Sequence, residues 1–152
     1  MAISFDTNHN PVIGEAEQLE YDLVVITADN ASPMTFTGTR TYVLGTENLI
    51  IIDPGPDSAA HLSSIMKYIG KRKVTDILLT HSHIDHSPLS RQLKTETGAR
   101  IIGFGSADEA RTSFMKKLSS SLDLGGEEGI DKDLLLDKKV YELKNWSLLS
   151  IH

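Results

Sequence analysis

The sequence predicts an α/β chain: a mixed, largely parallel sheet layered against helices on one face. Three observations predict it. Residues 49–103 read as strand, helix, strand, helix, strand, the order that produces parallel strands joined by right-handed crossovers. Leu49-Ile50-Ile51-Ile52-Asp53 is an unbroken apolar run closed by Pro54-Gly55-Pro56, which suits a strand buried on both faces. Between the strands, Leu62, Ile65, Met66 and Ile69 recur at the spacing of a single helical stripe.

The elements follow in order. Residues 1–20 are polar and read as an irregular lead-in, with the domain proper over 21–152. Leu23-Val24-Val25-Ile26-Thr27 is β-branched and predicts a strand. After the turn-rich Asp29-Asn30-Ala31-Ser32-Pro33, a second strand is expected over Thr39–Leu44, with Gly45–Asn48 as a hairpin connection. The helix after Pro56 takes Asp57 or Ser58 as its cap and stops at Gly70. Lys71-Arg72-Lys73 then suits the negative end of the helix dipole better than a nucleic-acid contact. Val74–Thr80 is the next strand. Ser87 is placed as N-cap of a short helix with Pro88 at its first position, ending at Gly98. Arg100–Gly103 is a short strand. A helix is expected near Ala107–Leu118 and a loop at Gly125–Gly129. Val140–Leu143 and Ser147–Ile151 close the chain as a strand pair, with Trp146 between them as a packing residue.

Composition narrows the function classes. With 152 residues, 39% hydrophobic and 24% charged, the chain is sized for one soluble domain. It has no Cys, which removes disulfides, thiolate ligands and a Cys nucleophile, and fits a reducing cytoplasm. Neither a signal peptide nor an apolar run of membrane-spanning length is read, so no membrane association is expected. A formal charge of −6 weighs lightly against a nucleic-acid partner.

The densest chemistry is His81-Ser82-His83-Ile84-Asp85-His86, directly after the strand at 74–80. Imidazole and carboxylate are ligands that zinc and related ions favour. A chance match at those four positions is on the order of one in 10⁴ for a chain of ordinary composition. His81 and His83 are two apart, so on a continuing strand both leave one face and can chelate one ion. Asp85 and His86 suit a neighbouring ion. The helix starting near Pro88 aims its positive end at the same place, which suits an anionic small-molecule substrate. Asp53 has two readings: a turn former in Asp-Pro-Gly-Pro, or a carboxylate that orients a ligand imidazole. His9 and His61 are expected to be solvated, His61 on the exposed side of its helix.

These residues resemble the metallo-β-lactamase superfamily, whose signature is His-x-His-x-Asp-His after a strand. Leu49–Pro56 resembles the family's strand ending in an Asp near the metals. Gly38-Thr39-Arg40-Thr41-Tyr42 is similar to the early strand of its glyoxalase-II-like and endoribonuclease-like branches. Ser87-Pro88 stands where many members carry Gly-Gly. The resemblance implies two divalent metals, zinc first, with iron or manganese as alternatives. It implies His81 and His83 at the first metal, and Asp85 and His86 at the second. Asp85 would also orient the attacking hydroxide, and Asp53 would be the supporting carboxylate.

The likeness covers the N-terminal half of the family's αββα sandwich. It implies that the third His of the first site, a bridging Asp and a last His follow beyond His152, which matches none of them. The expected activity of the intact protein is hydrolysis of an ester, thioester or amide-type bond by a metal-bound hydroxide. The alternatives are a catalytically incomplete fragment and an endoribonuclease-type phosphodiesterase. A half sandwich is expected to leave a sheet face exposed and open to self-association.

Overall fold

The computed structural model describes residues 9–103 without a break, together with 112–113, 134–135, 140–143 and 146–149. The expected helix near Ala107–Leu118 and the loop at Gly125–Gly129 lie almost wholly outside the described residues. Seven strands form one sheet in sequential order: β1 (Ala16–Glu20), β2 (Leu23–Thr27), β3 (Arg40–Leu44), β4 (Asn48–Ile52), β5 (Lys73–Leu79), β6 (Arg100–Gly103) and β7 (Leu134–Leu135). The strands β1 to β4 pair antiparallel and β4 to β7 pair parallel, so the sheet is mixed. A separate antiparallel pair is made by β8 (Val140–Leu143) and β9 (Trp146–Leu149). Trp146 belongs to β9, opposite Leu143, rather than to the turn.

Helix α1 (Ala59–Ile69) makes the crossover from β4 to β5 and helix α2 (Leu89–Thr97) that from β5 to β6. Period-two alternation decides what each strand residue meets. Leu49 and Ile51 of β4, Ile77 and Leu79 of β5 and Ile101 of β6 pack in one cluster with Ile65 and Ile69 of α1 and Leu89 and Leu93 of α2. Each fully buried Leu or Ile there contributes roughly 1.5–3 kcal/mol relative to exposure. Alternate positions build a second cluster from Leu44, Ile50, Leu78 and Ile102, which are at most 6% exposed. That face is therefore buried at these positions.

Two expectations at helix and strand ends need correction. Residues 16–20, placed in an irregular lead-in, pair with β2 as an edge strand whose five residues are all exposed. No apolar alternation marks it, because none of its side chains enters the core. Ser87 does not cap α2: its hydroxyl donates to His83 O at 3.1 Å, and Pro88 takes helical angles with no side-chain cap. Ser58 does cap α1, its hydroxyl accepting the His61 backbone N–H at 3.3 Å. Ser58→Ala is expected to cost about 1 kcal/mol, read as a lower urea midpoint, and an unchanged midpoint would contradict it. At the other end Gly70 donates to Met66 O, and Arg72 donates to Ile69 O at 3.1 Å with its guanidinium over the Tyr68 ring. Arg72 of the basic triplet thus serves as a helix end.

Candidate metal centre

β5 stops at Leu79, so His81 and His83 lie beyond the strand rather than on it. The six-residue motif is instead a tight turn. His83 O accepts the backbone N–H groups of His86 and Ser87, both at 3.0 Å. Folding back in this way gathers the rings: His81 and His83 centroids are 4.6 Å apart, and His81 and His86 centroids 4.2 Å. Asp85 is brought in as well, with Oδ2 3.2 Å from His86 Nε2.

Beneath the turn sits Asp53, 5% exposed and in the left-handed region at φ 48°. Asp is one of the few residues that visit this region readily. The bend turns its carboxylate toward the neighbouring strand end. Oδ1 accepts the Thr80 backbone N–H at 2.8 Å, and Oδ2 accepts the Thr80 hydroxyl at 2.6 Å. Oδ2 also faces His86 Nδ1 at 3.0 Å. The following turn is stitched to the same place, Gly55 N donating to His86 O at 3.0 Å and Leu89 N to Gly55 O at 3.3 Å. The first N–H of α2 is therefore spent on the Asp53 turn.

This network fixes which ring nitrogens are free. A carboxylate only accepts, so His86 Nδ1 must carry the proton in its bond to Asp53. The Thr80 hydroxyl gives its single proton to Asp53, so toward His81 Nδ1, 2.9 Å away, it can only accept. His81 thus also carries its proton on Nδ1. One carboxylate thus directs Nε2 of both rings away from the protein network as the atom available to a ligand, the way an outer partner sets an imidazole tautomer.

The electrostatics differ between the two rings. The hydrogen bond to Asp53 holds the His86 imidazole above its usual range; burial opposes this, and the charges of Asp53 and Asp85 add to it. Burial lowers His81, helped by the nearby His86 and His83 and opposed by Asp53 and Asp85. A cation at the Asp85–His86 pair would compete with protonation of His86 Nε2, so uptake there weakens as pH falls.

The donor set fits a divalent ion. Two donors about 2.0–2.1 Å from a shared tetrahedral ion lie roughly 3.3 Å apart; Asp85 Oδ2 and His86 Nε2 are 3.2 Å apart. Ligand atoms of Asp53, His81 and His86 all lie within 4.8 Å of one another. Because both Asp53 oxygens already accept protein hydrogen bonds, its geometry suits an orienting carboxylate. All five residues singled out in the sequence therefore meet at one end of β4 and β5.

Sequence reasoning missed Thr80 and misplaced His61. His61 is 3% exposed, not solvated, and its Nε2 lies 2.8 Å from the Thr41 hydroxyl. Its position, four residues before Ile65 and eight before Ile69, is the signal that places it on the buried stripe. His9 keeps a surface role, 3.8 Å from Glu17.

The sequence profile of the Metallo-beta-lactamase superfamily matches residues 34–150. Among curated relatives, an atrochrysone carboxyl ACP thioesterase of Passalora fulva is 39% identical over 80 residues, 51% of this chain and 24% of that protein. A beta-lactamase-like protein 2 homolog of Drosophila melanogaster is 35% identical over 107 residues, 64% of this chain and 36% of its own length. The chain thus spans about a third or less of these relatives. Among solved structures, the subclass B3 metallo-beta-lactamase BJP-1 of Bradyrhizobium japonicum aligns with TM-score 0.62 at 22% identity, covering 92% of this chain and 51% of that one. A metallo-beta-lactamase of Cronobacter sakazakii aligns with TM-score 0.63 at 20% identity, covering 90% and 54%. With its mixed sheet, its helices on one face and its profile match over most of its length, the chain belongs to the metallo-beta-lactamase superfamily.

Proposed function

We propose that this chain is the N-terminal half of a metal-dependent hydrolase that cleaves an ester, thioester or amide-type bond, with an acyl thioester as the first candidate. The observation that carries the reading is the Asp53 network, which orients the rings of His81 and His86 and accompanies a His86 Nε2 set beside Asp85. The thioesterase relative supports the bond type. His81 and His83 would hold one ion, and Asp85 and His86 the other. Bound divalent ions supply a nucleophilic hydroxide near neutral pH and polarise the carbonyl under attack. Asp85 would orient the nucleophile while Asp53 keeps both imidazoles in register. The cleft of about 470 Å³ lined by Asp57, Ile84, Pro88, Arg91 and Gln92 adjoins the turn and is of a size for a small-molecule substrate. Among the described residues no helix is long and apolar enough to cross a membrane.

Two protein ligands per ion leave each site short of a tetrahedral set, so further ligands are expected from the rest of the intact protein. The test is metal removal from that protein. Chelation should abolish turnover of acyl thioesters, and added zinc should restore it. Undiminished turnover in protein shown metal-free by mass spectrometry would overturn the reading. Turnover of RNA but of no thioester would move the substrate to phosphodiesters. The 152-residue chain alone is expected to bind zinc weakly and substoichiometrically, and tight stoichiometric zinc would contradict the need for further ligands.

A further inference from the structure

We infer that His61 and Thr41 are positioning residues for the metal centre: the His61 imidazole pins the Thr41 hydroxyl, which holds the backbone of Asp53 and, through its carboxylate, His86 and His81. The inference rests on the proposed reading that His86 is a ligand. The chain of bonds is continuous. Thr41 Oγ1 lies 2.8 Å from Asp53 O and 2.8 Å from His61 Nε2. A carbonyl only accepts, so the single hydroxyl proton goes to Asp53 O, and Thr41 must accept from His61 Nε2–H. His61 is therefore the neutral Nε2–H tautomer. Its burial supports this by pushing the imidazole down to about 4.

The other ring nitrogen makes the case stronger. His61 Nδ1 is buried with no hydrogen-bond partner among the described residues. A lone buried acceptor costs stability, and a Leu on the same stripe as Ile65 and Ile69 would avoid that cost. Packing therefore does not explain an imidazole here; the Nε2–H bond does. The ring also lies against the turn it serves. A methyl group added at Gly55, which has φ 95°, would come within 3.0 Å of His61 Cδ2 and 3.1 Å of Nε2. Thr41 itself is fully buried on β3, two strands from the motif. It is the link by which α1 and β3 restrain a residue in the left-handed region at the end of β4.

The test measures zinc affinity in the intact protein by competition with a chromophoric chelator, alongside the imidazole ¹⁵N shifts of His86. Thr41→Val keeps the shape and removes the hydroxyl; Thr41→Ser keeps the hydroxyl and removes the methyl. Thr41→Val is expected to weaken zinc about tenfold and shift the His86 signals, while Thr41→Ser stays within about twofold of the parent. His61→Leu should weaken zinc in the same direction, His61→Gln should restore it, and adding His61→Leu to Thr41→Val should do nothing more, as for two links of one chain. If Thr41→Val does not fold, the His61 pair carries the test alone. Parent-like zinc affinity in Thr41→Val, or equal weakening in Thr41→Ser, would overturn the inference. His86→Ala separates the two levels: if it leaves zinc affinity unchanged, the ligand reading fails and this inference fails with it.

Discussion

Asp53→Ala is expected to destabilise the protein by about 3 kcal/mol and to weaken metal binding by about 10- to 100-fold. The two effects have separate causes. Ala at φ 48° loses the tolerance that Asp has for the left-handed region, roughly 1 kcal/mol. Removing the carboxylate also deletes the two part-buried, charge-assisted hydrogen bonds it takes from the Thr80 N–H and hydroxyl, roughly a further 1–3 kcal/mol. The metal effect comes from the rings. Without Asp53, nothing at Nδ1 selects the His86 tautomer, and Thr80 is free to donate toward His81 instead of accepting from it. Asp53→Asn is the informative comparison. It tolerates the same backbone and can still accept from Thr80 N–H, so most of the stability should return. Its amide N–H₂ would then face both His86 Nδ1–H and the Thr80 hydroxyl, so metal affinity should remain well below the parent. Urea unfolding and chelator competition on the three proteins check both parts. If Asn restored metal affinity along with stability, the carboxylate's hold on the imidazoles would not be the reason Asp stands there.

How much of this was readable in advance depends on whether a residue type is rare where it acts. His81, His83, Asp85 and His86 stand out because His is scarce and four ligand-type residues in six positions have no ordinary structural use. The strands β2 to β6 announce themselves through runs such as Leu49–Ile52, whose burial on both faces leaves no polar positions to blur the pattern. Thr41 and Thr80 carry no such signal. Thr is common in strands, and a hydroxyl gains its importance only from what the fold sets beside it. His61 is the intermediate case: its place on the stripe with Ile65 and Ile69 is visible, but a polar residue there is ambiguous until Thr41 is seen to meet it. Ser87-Pro88 reads as a helix start by local rule, yet a competing local bond to His83 O, four residues back, takes the hydroxyl into the His-rich turn instead. The edge strand β1 is invisible because its exposed side chains report nothing about its backbone partners.

The same buried imidazole predicts how stability depends on pH. Burial disfavours the charged form of His61 and pushes its imidazole down to about 4 in the folded protein, from about 6.5 for a solvated histidine. Its folded value lies below its unfolded one, so between those two pH values the unfolded chain binds the proton and the native protein does not. Stability must therefore fall as pH drops from about 6.5 to about 4, and His61 contributes no slope above that window. A shift of this size corresponds to about 3 kcal/mol lost across the window. His61→Leu removes this titration and the unpartnered Nδ1 together. Its unfolding free energy should track the parent's above pH 7 up to a constant offset, then gain on the parent by about 3 kcal/mol by pH 4. Other histidines titrate too, and His86, whose folded value is raised, acts in the opposite sense. They are present in both proteins, so the difference between the two curves isolates His61. Urea midpoints at pH 7, 6, 5 and 4 in metal-free protein measure that difference. Parallel curves would mean that His61 takes up its proton in the native state, and the neutral tautomer that links α1 to the Asp53 turn would have to be given up.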